Sequence, residues 1–426
     1  MNDFAKTDSH IEHSLRLLKD FQRATVDIVY DRLFVQGQSR MLVADEVGLG
    51  KTIVAKGVIA RRLEDKLMQK DLTPFRVTYI CSNQFIGQEN VKKLDLYQQQ
   101  SIDRSRNRLV FLALKPQFDP ATLLRLNTLT PGTSFHSSEH AGEQRERKII
   151  YSLLMSDKGM LADVPKGLAC LLRGPVQRSA KEWADDLESA QLNRSDMNIR
   201  DDLPAKFLNH IKVTPLRRPD IMLSHLLGST PTNLYDAVVE YACLLDFENF
   251  IRFKDGSLEI IRQLRKALAA LCIDYIDADL YILDEFQRFR DLINEDSDSE
   301  AAIIAKKIFK KPNTKILLLS ATPFKAFTGD GDLENGEEHY KEFRTVLSFL
   351  LDNDQKTLAK YELHRQALFK QLLNLRADDS AIDSTHRDAL ETVLRRAICR
   401  TERLSVSENR DAMTQDKVHN NPVALT

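Results

Sequence analysis

The stretch LVADEVGLGKTIVAKGVIARRL, residues 42–63, constrains the fold more than any other part of the chain. A short apolar run is followed by a turn containing Gly48 and Gly50, and then by apolar residues at helical spacing. The pattern predicts a buried strand, a tight turn and a helix that begins at Lys51. A helix directly after a buried strand is typical of sheets whose strands run parallel.

Other short apolar runs repeat this pattern along the chain. We predict strands in RMLVA, FRVTYICSN, NRLVFLAL, DLYILDEF and TKILLLSATPF (residues 40–44, 75–83, 107–114, 279–286 and 314–324). A helical stretch near residues 84–97 separates two of them. Strands that alternate with helices indicate an α/β fold, a parallel sheet with helices on both faces.

Changes in pattern divide the chain into segments. Between the strand-bearing parts, long helical patterns rich in charge indicate a helical insertion, and the last residues are polar and without period. The predicted boundaries are N-terminal helices at 1–38, the two parts of the sheet domain at 39–133 and 272–330, the insertion at 134–271, a helical region at 331–403 and a polar tail at 404–426.

Composition excludes several classes of protein. The 61 basic and 62 acidic residues cancel, so any nucleic-acid surface must be a local patch. The five cysteines stand far apart without C-x-x-C spacing, which argues against a structural zinc site and a disulfide scaffold. No run of eighteen apolar residues occurs. We therefore expect a cytoplasmic protein, or a nuclear one if its source has a nucleus, with no membrane partner.

The glycine-bearing turn has the chemistry of a phosphate-binding site. Gly48 and Gly50 allow close backbone approach, Lys51 supplies a positive charge to terminal phosphates, and the Thr52 hydroxyl is a ligand for magnesium. The usual pattern G-x-x-x-x-G-K-[ST] is incomplete, because Asp45 stands at its first glycine. The alternative is that GLGKT only caps a helix.

Two later strand ends carry polar residues suited to nucleotide hydrolysis. Asp284 and Glu285 follow a buried strand, where the first would hold magnesium and the second would orient or deprotonate water. Ser320 and Thr322 follow another buried strand and would couple the nucleotide site to movement. The alternatives are a structural acidic pair and a cap for the turn at Pro323.

In chain order, FQRATVD, DEVGLGKT, VTYICSNQ, LTPGTSF, LDEF and LLLSATPF resemble the signature motifs of the first RecA-like lobe of superfamily II helicases and translocases. DEVGLGKT is most similar to the version in Swi/Snf-type ATPases and their bacterial relatives, which also have an acid at the position of Asp45. The resemblance covers about residues 20–328, with one helical insertion.

The resemblance implies a role for each matching residue, with ATP and Mg²⁺ as cofactors. Gln22 would read the adenine, and the phosphates would lie against Asp45, Gly48, Leu49, Gly50, Lys51 and Thr52. Catalysis would use Lys51, Asp284 and Glu285, with Thr52 and Asp284 on the metal. The residues that would contact the nucleic-acid backbone, duplex DNA first, are Ser82, Asn83, Thr130, Pro131 and Gly132. Coupling would involve Gln287, which replaces the histidine of D-E-A-H, and Ser320, Ala321 and Thr322.

A working motor of this family also has a second RecA-like lobe that contributes arginines to the nucleotide site. The polar residues 404–426 contain no candidate for it, so we expect this lobe elsewhere, in a longer chain or a separate subunit. Two functions then compete. One is the ATP-binding lobe of a nucleic-acid-stimulated ATPase, and the other is an ATP-binding switch or scaffold that recruits a partner through the insertion. Retention of Glu285 favours catalysis, while the missing lobe favours the scaffold.

Overall fold

A computed structural model of the 426-residue chain describes most of its length. The described residues are 2–45, 48–97, 109–115, 123–130, 142–174, 179–192, 197–217, 231–248, 253–286, 293–294, 300–320, 333–373 and 384–400. None of the helices formed by these residues combines the length and apolarity required to cross a membrane.

Six strands and a larger number of helices make up the described part of the chain. The strands are β1 (Arg40–Ala44), β2 (Phe75–Ile80), β3 (Leu124–Leu129), β4 (Leu280–Asp284), β5 (Lys315–Ser320) and β6 (Ile398–Cys399). The helices are α1 (Asn2–Arg16), α2 (Asp20–Tyr30), α3 (Lys51–Met68), α4 (Gln84–Leu94), α5 (Gln144–Leu154), α6 (Pro165–Leu172), α7 (Ala180–Leu192), α8 (Leu203–Val213), α9 (Leu234–Leu244), α10 (Lys254–Cys272), α11 (Glu300–Phe309), α12 (Leu333–Leu350), α13 (Gln355–Leu373) and α14 (Thr385–Ala397).

The chain forms two compact units, each described by itself. Unit 1 comprises Met1–Thr73, Lys93–Gln99 and Lys315–Thr426. Its strands β5, β1 and β6 pair in parallel, with β1 in the middle, and all five residues of β1 are buried. Arg40, at the start of β1, is 2% exposed, donates to the carbonyl of Phe349 at 2.6 Å and pairs with Asp352 at 2.8 Å. These bonds attach the end of α12 to β1 through a buried charge that has an acidic partner.

Helices α2 and α3 lie in close contact in unit 1. Gly57 on α3 makes this possible, since a Cβ there would lie 2.5 Å from Cγ2 of Val26 on α2. Because the helices pack this closely, their first turns are adjacent. The first turn of α2 therefore lies beside the glycine turn, residues 48–50.

Unit 2 comprises Pro74–Lys92 and Gln100–Thr314. Its strands β3, β2 and β4 also pair in parallel, with β2 in the middle and Tyr79 in register with Thr128 and Ile282. The described residues between β3 and β4 are mostly helical, and α5 and α10 are joined by an ion pair between Glu146 and Arg265 at 2.5 Å, 1% and 5% exposed at their side chains.

The observed elements confirm the predicted α/β class with parallel strands, and they correct three details. Residues 107–114 were expected to form a strand, but Leu109–Ala113 forms a 3₁₀ helix whose carbonyl at Val110 accepts from the Cys272 thiol on α10. A short buried apolar run fits either structure, so the sequence pattern did not decide. Strands β3 and β6 were not predicted. The predicted domain boundaries stay a prediction.

Candidate functional site

The glycine turn after β1 has the geometry that its sequence requires. Gly48 and Gly50 have φ of +86° and +82°, in the left-handed region that favours glycine. Helix α3 starts directly afterwards at Lys51, so Lys51 and Thr52 stand at its positive end. Among the residues that the structure describes, no atom lies within 4 Å of the position that a Cβ of Gly48 would take. The turn is thus open on that side, which suits close approach of a phosphate.

Lys51 bends back over the turn. Its ammonium donates to the backbone carbonyl of Asp45 at 3.2 Å. Asp45 itself is 1% exposed and follows β1. A lysine that donates to a backbone carbonyl beside a glycine turn is positioned to exchange that bond for a phosphate oxygen, because a charge-assisted hydrogen bond to an anion is stronger than one to a neutral carbonyl.

Gln22 on α2 is hydrogen-bonded to the same turn. Its Nε2 donates to the carbonyl of Leu49 at 3.0 Å, and its Oε1 accepts from the backbone N–H of Lys19 at 3.2 Å. A Cβ on Gly50 would lie 2.8 Å from Gln22 Nε2, so only glycine fits here. The carboxamide keeps one more donor and one more acceptor. The structure brings Gln22 to the turn, and the adenine contact stays a prediction.

Two residues of unit 1 lie on the strands that pair with β1. Ser320 ends β5 in register with Ala44 and is fully buried. On the other side, Cys399 of β6 pairs with Val43, and burial, reinforced by the negative charge of Asp45, raises the pKa of its thiol to about 11. Sequence reasoning missed Cys399, because a two-residue strand leaves no periodic pattern.

In unit 2, Asp284 is held by two side chains that the sequence did not reveal. The hydroxyl of Tyr79 on β2 donates a hydrogen bond to Asp284 Oδ2. Asn90 on α4 donates to the Tyr79 oxygen at 2.9 Å and to the same Asp284 oxygen at 3.4 Å. Tyr79 is fully buried, and burial together with the Asp284 charge raises the pKa of its phenol. Both bonds reach Oδ2, so Asp284 is oriented through one oxygen.

Glu285 adopts a backbone conformation that is rare for its residue type. Its φ is +51°, and it directly follows β4. A left-handed non-glycine residue costs on the order of 1 kcal/mol, and such residues are enriched at functional sites. The conformation changes the direction of the chain directly after Asp284.

The predicted nucleic-acid contacts follow β2, which pairs with β4, and β3, which pairs with the other edge of β2. Ser82 and Asn83 come after β2 and are exposed, and the Asn83 carboxamide oxygen caps α4 by accepting from the N–H groups of Phe85 and Ile86 at 2.8 and 3.2 Å. Thr130 comes after β3 and is 4% exposed. Carboxyl ends of parallel strands meet at one edge of a sheet, so these residues share an edge with Asp284.

The structure thus gathers the predicted residues into two groups. Gln22, the turn, Lys51, Thr52 and Ser320 belong to unit 1, whereas Asp284, Glu285 and the strand-end residues belong to unit 2. Five of the predicted residues lie outside the described ones: Pro131, Gly132, Gln287, Ala321 and Thr322. Within the described residues, no cluster of three or more His, Cys, Asp or Glu side chains could hold a metal on its own.

Comparison with known proteins adds no relative. No protein-family model, curated protein or solved structure matches this chain.

Proposed function

We propose that this chain is the ATP-binding lobe of a nucleic-acid-dependent ATPase, a helicase or double-strand translocase, completed by a second RecA-like lobe. The observation that carries the proposal is the glycine turn. Two left-handed glycines lead into a helix that starts with Lys51 and Thr52, with the lysine ammonium bent over the turn. Backbone N–H groups, a helix dipole and a lysine at one open point are the features that bind a polyphosphate.

The roles of the residues follow from their chemistry. Lys51 binds the terminal phosphates, while Thr52 and the unengaged side of Asp284 are suited to hold Mg²⁺. Bound Mg²⁺ would neutralise charge on the phosphate oxygens. Glu285 orients or deprotonates the attacking water. The hydrogen bonds from Tyr79 and Asn90 to a single oxygen of Asp284 support this assignment, because metal-binding carboxylates are commonly oriented by such partners.

The exposed strand-end residues support a nucleic-acid track. Ser82 and Asn83 offer small polar groups at the carboxyl edge of β2, suited to phosphate and sugar contacts. Contacts of this kind carry no sequence information, and binding through them weakens with added salt. We therefore propose a sequence-tolerant interaction with duplex DNA.

ATP binding is the first test. Lys51→Ala should weaken MgATP binding at least tenfold in a fluorescence or calorimetric titration of the full chain. Lys56→Ala is the matched control, since Lys56 lies on the same helix but donates to the carbonyl of Asp95 at 3.2 Å instead of to the turn. Equal affinities of wild type and Lys51→Ala would contradict a nucleotide site at this turn.

Hydrolysis is the second test. Steady-state ATP hydrolysis is measured with duplex DNA, single-stranded DNA and RNA, with Glu285→Gln as the blank. Stimulation by one of them identifies the track. Glu285→Gln should retain ATP binding and lose hydrolysis, and normal hydrolysis by this variant would overturn the role of Glu285. Lys51-dependent ATP binding without turnover would instead favour the switch or scaffold.

A further inference from the structure

Two histidines on neighbouring helices of unit 1 lie in direct contact. His364 on α13 and His386 on α14 have their Nδ1 atoms 3.0 Å apart. The ring centres are 5.3 Å apart and the ring planes are inclined by 49°, so the rings are not stacked and their Nδ1 edges face each other. The contact between the helices is therefore made here by two nitrogen atoms and not by the ring faces.

The protonation chemistry of imidazole allows this pair two uses. By itself the contact is a hydrogen bond, in which one Nδ1 carries a hydrogen and the other accepts it. A neutral imidazole carries its hydrogen on either nitrogen, so the donating ring can instead hold it on Nε2. Both Nδ1 atoms then present a lone pair, and no proton leaves the pair. Neutral imidazole in this form is the commonest metal ligand in proteins.

The separation of the two nitrogens matches that of two neighbouring ligands on one metal ion. Imidazole nitrogens bind such an ion at about 2.0–2.1 Å, so ligands at a right angle lie about 2.9 Å apart and tetrahedral ligands about 3.3 Å apart. The observed 3.0 Å is close to the right-angle value. Right angles are typical of Cu²⁺ and Ni²⁺, whereas structural Zn²⁺ sites are almost always tetrahedral. A rotation of the rings that keeps this separation aims both lone pairs at one ion.

The surroundings leave both nitrogens accessible to an ion. Both histidine side chains are half-buried, so solvent reaches them. Among the described residues, no carboxylate lies within 4.0 Å of either imidazole. The nearby acids on the same helices are engaged elsewhere, since Glu362 pairs with Arg344 at 3.2 Å and with Arg365 at 3.1 Å. Asp388 pairs with Arg387 at 3.0 Å. The pair is thus not committed to a carboxylate.

We propose that His364 and His386 form a two-histidine chelate for a divalent transition-metal ion of the Cu²⁺ or Ni²⁺ class. Water would occupy the remaining positions, since the described residues contain no cluster with a third His, Cys, Asp or Glu ligand. The ion would join α13 to the first turn of α14, which runs directly into β6, the strand that pairs with β1. Metal binding would therefore stabilise unit 1, and the site does not depend on the proposed ATPase function.

The test is calorimetric titration of the full chain with Ni²⁺ in a buffer that does not bind metals. Excess Mg²⁺ is present to occupy carboxylate sites, because Mg²⁺ prefers oxygen ligands to imidazole. We expect a saturable site that His364→Asn and His386→Asn each weaken at least tenfold. Ni²⁺ should also raise the thermal unfolding midpoint of the wild type, and EDTA should reverse this rise, because a ligand that binds only the folded state stabilises it. Neither Asn variant should show the rise.

A matched control and a second readout make the result interpretable. His10→Asn removes a histidine of unit 1 that lies edge-on to Tyr97 and takes no part in the pair, so it should leave Ni²⁺ affinity within twofold. In the wild type, the electron paramagnetic resonance spectrum of bound Cu²⁺ should show coupling to two imidazole nitrogens, a result that needs no variant to fold.

Three outcomes would overturn the proposal. One is equal Ni²⁺ affinity in the wild type and both Asn variants of the pair. Another is a fall in their metal-free stability without any loss of Ni²⁺ binding, since the pair would then be a hydrogen bond only. The third is a Cu²⁺ spectrum without coupling to two imidazole nitrogens.

Discussion

The substitution Tyr79→Phe tests the hydrogen bonds to Asp284 without changing the packing of the aromatic ring. The substitution removes one hydroxyl, which donates to the Asp284 carboxylate and accepts from Asn90. A hydrogen bond to a charged group contributes about 1.5–3 kcal/mol. Asp284 is half-buried, so water can replace part of what is lost. We therefore expect the free energy of unfolding to fall by about 1–2 kcal/mol.

Tyr281 provides a matched control on the neighbouring strand. It is also fully buried, but its hydroxyl has no hydrogen-bond partner among the described residues. Tyr281→Phe should leave stability unchanged or increase it, because it removes a buried polar group that is unsatisfied. Chemical unfolding of both variants, followed by circular dichroism, should therefore shift the midpoint downwards for Tyr79→Phe only.

The same pair of variants tests the metal role that we propose for Asp284. Removing a group that orients a metal ligand typically lowers metal affinity 10–100-fold. ATP affinity is measured with Mg²⁺ and with EDTA, and the ratio of the two affinities should fall for Tyr79→Phe and stay constant for Tyr281→Phe. An unchanged ratio in a folded Tyr79→Phe protein would refute the reasoning, since Asp284 would then not act through the metal.

Three other substitutions test the packing that supports the two units. Gly57→Ala should gain about 1 kcal/mol of helix propensity but lose about 1–3 kcal/mol through the clash with Val26. The unfolding midpoint should therefore fall, and a rise would contradict the close packing of α2 against α3. Glu146→Gln leaves the buried Arg265 without its charge partner and should cost about 3–5 kcal/mol, measured by urea unfolding against wild type. Burial lowers the pKa of His210, so the folded state resists protonation of this side chain. Stability should therefore be lost as pH falls below about 6.5. Thermal unfolding at a series of pH values should show this loss in the wild type but not in His210→Asn.

The sequence predicted those parts of the fold that depend on local pattern. Strands β1, β2, β4 and β5 are apolar runs, and the burial of their residues explains why the runs were recognisable. The glycine turn was equally local, because Gly48 and Gly50 need a left-handed backbone that their residue type allows. Contacts between distant segments were not predictable. Tyr79 and Asp284 are 205 positions apart in the chain, and the sequence around either residue does not indicate that the two are in contact.

The alternating sequence of β3 shows why this strand was missed and what fixes its register. The β3 sequence LRLNTL alternates apolar and polar residues. It pairs with β2, a strand about fifty positions earlier in the chain, and only this pairing shows that Arg125 stands beside Arg76. A slip of one residue would exchange the faces and move both Arg125 and Asn127 among Phe75 and Val77. Burying an uncompensated arginine there would cost several kcal/mol. Arg125 therefore selects one register of β3 against β2, the one in which it stands beside Arg76.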